Sequence, residues 1–154
     1  DNEYGVNAPF YNMEDGSVMT VFRYKEQHQS YPGRVHGGMI TAMLDEMGLR
    51  SLWAKELSEE TFGVTISLDT KYRKPVPYET ELIGRGVVVK NTSHFIITDS
   101  YIMDKDGEIL ANGRIKYIKM DTQKIQEGVE VHEEMPYLVE DGRTEIEGPF
   151  FDNL

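Results

Sequence analysis

His36-Gly37-Gly38-Met39-Ile40-Thr41-Ala42-Met43-Leu44-Asp45 opens the one stretch of this 154-residue chain that reads as a long helix. From Gly37 to about Glu56, the apolar residues Met39, Ile40, Met43, Leu44, Met47, Leu52 and Trp53 recur at spacings of three and four. That repeat stacks side chains on one helical face. Ala42, Gly48 and Leu49 keep the other sides of the middle apolar or small, so the pattern predicts a buried helix rather than a surface one. At about 1.5 Å per residue such a helix runs roughly 30 Å, the length of a small domain.

Strand-like segments lie on both sides of it. Ser17–Tyr24 alternates through Val18, Thr20, Val21 and Phe22. Tyr31-Pro32-Gly33 then marks a turn before the helix. Beyond the helix, Phe62–Tyr72 places Phe62, Val64, Ile66, Leu68 and Tyr72 on one expected face, with Thr65, Ser67 and Asp69 on the other. Pro75 and Pro77 end this strand, because proline removes a ladder donor. Three more strands are expected over Thr80–Lys90, His94–Asp104 and Ile109–Met120. Asn91-Thr92-Ser93 and Lys105-Asp106-Gly107 form the turns between them. Gly84-Arg85-Gly86, inside the first of the three, suggests a bend or bulge.

The order strand, helix, four strands, with short connections after the helix, favours antiparallel neighbours. The expected class is α+β, a long central helix wrapped by a curved antiparallel sheet of about five strands. Residues 1–120 form one expected domain, of which 1–16 are an irregular lead-in; residues 121–154 form an acidic C-terminal extension. Val129, Val131, Met135, Tyr137, Leu138, Phe150 and Phe151 are its apolar anchors.

The net charge of −11 is unevenly spread. Residues 121–154 carry ten acidic and two basic side chains, while residues 1–120 carry seventeen and fourteen and are nearly balanced. No basic footprint for nucleic acid or anionic membrane is visible. No apolar run reaches the ~20 residues of a membrane-spanning helix. Asp1-Asn2-Glu3 has no character of a secretion leader. With no cysteine, thiolate nucleophiles, disulfides and thiolate-bound metals are excluded, and the composition suits a reducing cytoplasm. His28, His94 and His132 lack metal-ligand spacing, so no metal is expected. No phosphate-loop or dinucleotide fingerprint occurs.

Two features of the helix invite chemistry. Asp45 sits among apolar and small neighbours, where an unpaired carboxylate is costly, and buried titratable groups concentrate at functional sites. A pairing with Arg50 beside Glu46 is its ordinary structural alternative. His36-Gly37-Gly38 opens the helix, where unpaired N–H groups and a partial positive charge favour an oxyanion. Nine residues put Asp45 about 13 Å further along the axis than His36. The two cannot serve one atom within one chain, so a site using both needs two chains.

The His-Gly-Gly stretch followed by six mostly apolar residues and Asp45 resembles the signature of hot-dog-fold acyl-CoA thioesterases of the phenylacetate-pathway and human thioesterase-superfamily type. Leu68-Asp69-Thr70-Lys71-Tyr72-Arg73-Lys74-Pro75-Val76-Pro77 resembles that family's strand ending in tyrosine, two basic residues and proline. Ala111-Asn112-Gly113-Arg114 resembles the start of its last strand, and the match runs from about Val18 to Met120. The resemblance implies dimers, often paired into tetramers, with the active site between subunits and an acyl-CoA as substrate. It implies no cofactor beyond the coenzyme A of the substrate itself. By position, Gly37 N–H would polarise the thioester carbonyl, with His36 shaping that turn and Gly38 keeping it open. Asp45 would activate water or attack directly, and Thr65 would position the water or carboxylate.

Some relatives carry Asn or Gln six residues before the histidine as a second polar contact, and Ser30 occupies that place here. Lys71, Arg73 and Lys74, with Arg85 or Lys90 nearby, would meet the phosphates of coenzyme A. Met39, Met43 and Met47 share a face better suited to core packing than to an acyl pocket. Two other readings remain open: a hydratase or dehydratase of acyl thioesters, which Tyr31-Pro32-Gly33 with His28 faintly resembles, and a non-catalytic acyl-CoA-binding module.

Overall fold

The computed structural model describes residues 3–55, 61–121 and 141–147. Its elements are β1 (Tyr11–Asn12), β2 (Val18–Phe22), α1 (Gly37–Lys55), β3 (Thr61–Tyr72), β4 (Leu82–Asn91), β5 (Phe95–Met103) and β6 (Ile109–Asp121), with a single 3-10 turn at Glu26–His28. The six strands form one sheet in the order β1-β2-β4-β5-β6-β3, every neighbouring pair antiparallel. The expected helix and five strands are present, and the sheet has one strand more. The extra strand is β1, which falls in the lead-in taken as irregular and pairs Tyr11 with Met19 and Asn12 with Val18.

α1 lies on one face of the sheet. Ile40, Met43, Leu44 and Met47 join Phe22, Tyr24, Leu82, Ile102 and Ala111 in the core. Met43 and Met47 are buried there and Met39 packs against the same cluster, so this face is spent on packing. Each such aliphatic side chain contributes about 1.5–3 kcal/mol by leaving water. The helix is not buried all round, however. Gly38 and Ala42 are exposed, and Thr41, Asp45, Glu46 and Leu49 are only half-buried, because the sheet covers one side of α1 and leaves this stripe open.

Two local expectations are corrected. Gly84 and Gly86 do not form a bulge in β4: its register against β5 is regular from Gly84 to Val88 and shifts only between Val88 and Lys90. These glycines face the helix instead. A Cβ on Gly86 would lie 2.3 Å from the Met47 carbonyl oxygen, and one on Gly84 would lie 2.3 Å from Met47 Sδ. The second correction concerns β3. Its register against β6 shifts between Thr65 and Ser67, so Ile66 is an extra residue in a bulge. Because side chains alternate, one extra residue swaps the faces. Thr65 therefore faces the helix upstream of the bulge, as Thr70 and Tyr72 do downstream, and Val64 and Ile66 are left exposed.

Both expected turns form. Thr92 bonds the backbone of Phe95, and Gly107 takes the left-handed conformation (φ 82°) in the β5–β6 connection. The acidic extension lies outside the described residues except for 141–147, and all seven of its expected anchors lie outside them. In the described part, Tyr11 donates to Asp141, and Arg143 lies 3.8 Å from Glu81.

Asp15 ties the β1–β2 turn to β4. It accepts from Ser17 N (2.9 Å) and Ser17 Oγ (2.5 Å) and pairs with Arg85 Nη2 (2.8 Å). The bonds from Ser17, and then the charge of Arg85, hold its carboxyl below the usual range. A carboxyl depressed in the folded state adds stability above its unfolded pKa and loses it as pH falls through the folded value. Asp15→Asn is expected to cost about 1 kcal/mol at pH 7. In urea titrations repeated down the pH scale, the gap between variant and parent should close below pH ~3.

Candidate active site

The loop before α1 is fixed by main-chain bonds. Arg34 N donates to Tyr31 O (2.9 Å) around Gly33, whose φ of 77° suits glycine. Ser30 N donates to Arg34 O, Val35 N to Val76 O (2.9 Å) and His36 N to His28 O (2.8 Å). These bonds deliver His36 to the end of the helix as its cap. Its Nδ1 accepts from Gly38 N (3.0 Å), and its carbonyl accepts from Met39 N and Ile40 N. Gly37 N–H, the first amide of the helix, has no acceptor among the described residues. Tyr72 Oη donates to Gly37 O (3.1 Å) and shares a 2.7 Å bond with Thr41, bracing the same turn from β3.

This turn forms one wall of an open cleft of about 540 Å³, whose lining includes Ser30, Arg34, His36, Gly37, Gly38, Tyr72, Arg73 and Lys74. The structure thus brings six of the eight candidate residues together. Arg73 is held by Asn112 (2.7 Å) and Lys74 by Glu108. Arg85, engaged by Asp15, and Lys90, over the Phe95 ring, are not part of the lining. Arg34 adds a basic group that sequence reasoning missed; its place one turn before the helix was the available signal.

The other two candidates, Asp45 and Thr65, lie outside this lining and meet each other. Thr65 Oγ1 donates to Asp45 Oδ1 (3.0 Å) and approaches Oδ2 (3.2 Å). Tyr117 of β6 reaches the same carboxylate from beneath, its Oη 3.1 Å from Oδ1 and 2.8 Å from the Asp45 carbonyl oxygen. Arg50 pairs with Glu46 (2.7 Å), stacks over Phe10 and Trp53, and leaves Asp45 to hydroxyl donors. A half-buried carboxylate held by two hydroxyls keeps lone pairs for a further proton, and it opens on the seam between α1 and β3. His28, by contrast, is buried, with Nδ1 accepting from Lys25 N and Nε2 2.8 Å from Tyr4 O. Its ring nitrogens are both engaged away from the cleft.

A helix start with an unpaired amide and a carboxylate on the same helix are parts suited to acyl transfer. Residues 32–111 match the Thioesterase superfamily, and the chain belongs to that family. It is 23% identical over 100 residues to acyl-coenzyme A thioesterase 13 of Homo sapiens, covering 64% of this chain and 70% of that one. Among solved structures it is similar to a thioesterase superfamily protein, with 25% identity and a TM-score of 0.65, over 71% of this chain. The chain spans just over half of that protein, 55%. A hypothetical thioesterase protein from Streptococcus pneumoniae, solved with coenzyme A, superposes with a TM-score of 0.66 at 18% identity, over 74% of this chain and 89% of that one. The arrangement of α1 on its antiparallel sheet is the hot-dog fold. Among the described residues, no helix is long and apolar enough to cross a membrane.

Proposed function

We propose that the protein hydrolyses an acyl-CoA thioester to the free acid and coenzyme A, at a site shared between two copies of the chain. The observation that carries this reading is the separation of the two half-sites. Gly37, with its unpaired N–H, lines the cleft, while Asp45 of the same helix and its partner Thr65 on β3 lie outside it. A second copy joins the halves. β3 is a twelve-residue edge strand with β6 on one side and no strand on the other among the described residues. Such an edge is a template for pairing with another chain. The open stripe of α1 at Gly38, Ala42 and Asp45 lies next to it. A dimer built on β3 brings one chain's carboxylate toward its partner's helix start, and two dimers can stack as a tetramer.

In the reaction, Gly37 N–H polarises the thioester carbonyl and stabilises the oxyanion. Asp45 removes a proton from the attacking water, or attacks the carbonyl carbon itself to form an acyl–aspartyl anhydride that water then hydrolyses, with Thr65 orienting it. The thiolate departs without needing a strong general acid. His36 holds Gly38 N–H and so fixes the turn, while Ser30, Arg73 and Lys74 line the cleft where coenzyme A binds. The engaged ring of His28 favours hydrolysis over hydration. The cysteine-free chain suits a cytoplasmic setting.

The test is release of free thiol from acyl-CoAs running from acetyl through long-chain to aromatic. Turnover of one class supports the reading; binding of acyl-CoA with no thiol released overturns it in favour of a binding module. The shared site makes a sharper prediction. Gly37→Pro removes the proposed donor at the first helical position, where proline is tolerated. It should lower kcat about 10²–10³-fold. Mixed with Asp45→Asn chains, each weakly active alone, it should restore roughly a quarter of parental activity, because half the dimers carry one intact site. No restoration after subunit exchange would place both groups in one chain.

A further inference from the structure

We infer that Tyr117 is a positioning residue for Asp45, its hydroxyl passing beneath the helix at Gly48 to fix the orientation of the carboxylate. The role rests on the proposal that Asp45 is the reacting carboxylate, but the contact and its consequences stand on geometry. Tyr117 is buried, in register with Thr65 on β3, so the two hydroxyls approach Asp45 from adjacent strands. Thr65 holds the outer side of the carboxylate and Tyr117 the inner side, both at Oδ1, and the one Tyr117 proton is shared between Oδ1 (3.1 Å) and the nearer Asp45 carbonyl oxygen (2.8 Å). Oδ2 keeps only the longer Thr65 contact among the described residues and is the oxygen left for a substrate water.

The space for this contact is built into the helix. A Cβ on Gly48 would lie 2.4 Å from Tyr117 Oη and 2.5 Å from Thr98 Oγ1, so no other residue fits without displacing the hydroxyls. Glycine inside a helix is unfavourable by about 1 kcal/mol against alanine. Gly48 is three residues from Asp45, next to it on the helix surface, so the gap leads to the carboxylate. Burial, and then the charge of Asp45, push the Tyr117 hydroxyl far up, so it stays protonated over the working range and acts as a donor.

A hydroxyl that donates to a carboxylate oxygen fixes the orientation of the group and polarises it, and removing the donor releases both. The other groups at this site are Thr65 from β3, Thr98 from β5, which stands at Gly48, and, on the same helix as Asp45, Glu46 in its pair with Arg50. None changes charge when Tyr117 is altered. Tyr117→Phe is therefore expected to lower kcat roughly 5–20-fold with KM within about twofold. At one fixed neutral pH, the carbon-13 resonance of the Asp45 carboxyl, assigned through Asp45→Asn, should move between the parent and Tyr117→Phe. That spectrum needs no turnover: if the parent protein hydrolyses no acyl-CoA, the functional reading falls while the NMR arm still decides the contact. Tyr117→3-fluorotyrosine keeps the shape, strengthens the donor and should move the same resonance the opposite way, which decides the matter even if Tyr117→Phe fails to fold. An unmoved resonance, with only a lower melting temperature in Tyr117→Phe, would assign Tyr117 to packing alone and overturn the inference.

Discussion

Asp45→Asn is expected to fold as the parent does and to lose thioester hydrolysis about 10²–10⁴-fold, the range supplied by a positioned proton acceptor. Asparagine has nearly the same shape, and its carboxamide oxygen still accepts from Thr65 and Tyr117, so the packing of α1 on the sheet is unchanged. What disappears is the basic lone pair and the negative charge. Neither an amide accepting a proton from water nor an amide attacking a carbonyl is effective at neutral pH. KM should change little if the coenzyme is held in the cleft near Ser30, Arg73 and Lys74, which Asp45 does not line. An uptake of oxygen-18 from labelled water during a single parental turnover then separates the two roles. Label in the Asp45 side chain marks direct attack through an acyl–aspartyl anhydride, and the absence both of that label and of an acyl-enzyme trapped by hydroxylamine marks water activation. A variant with parental kcat would remove Asp45 from the reaction altogether.

The elements of the fold were legible because their patterns are local. α1 begins at Gly37 as the spacing predicts, and the four long strands match their expected spans to within about two residues. What was not legible depends on a partner element. The alternation through Phe62–Tyr72 looked like one apolar face, and the bulge at Ile66 divides it, leaving Val64 and Ile66 in solvent. Gly63 carries the bulge signal of that stretch, but it stands two residues before Thr65, where the register shift begins. The helix looked buried on all sides because its sequence is apolar on all sides, and a single chain covers only part of it. The glycines of β4 suggest a bulge in sequence because a sequence does not say which element lies above them. The site divides similarly. The helix start and Asp45 stand out by their chemistry. The approach of Thr65 to Asp45 was reachable only through the family resemblance, and Tyr117 was visible only as a tyrosine inside an apolar strand.

The largest stability effect is expected at Gly86. The helix backbone rests on β4 there, with the Met47 carbonyl oxygen 2.3 Å and its carbonyl carbon 2.8 Å from where a Cβ would stand. Neither atom can move without shifting a turn of α1. Gly84 makes a useful control on the same strand and face. Its Cβ would meet Met47 Sδ at 2.3 Å and Thr20 Cγ2 at 2.6 Å, and a methionine side chain can rotate away. Gly84→Ala is thus expected to cost about 1 kcal/mol, and Gly86→Ala about 3 kcal/mol or more, the upper end for overpacking. For a chain of this size, 3 kcal/mol corresponds to a fall in Tm of roughly 6–12 °C. The second variant should also lose activity in the fraction that stays folded. α1 carries Gly37 at one end and Asp45 in its middle, and lifting it at Met47 moves both against the cleft and the sheet. Equal Tm values for the two alanine variants would mean that the helix yields as easily as a methionine side chain, and the close approach of α1 to β4 would then not be what positions the site.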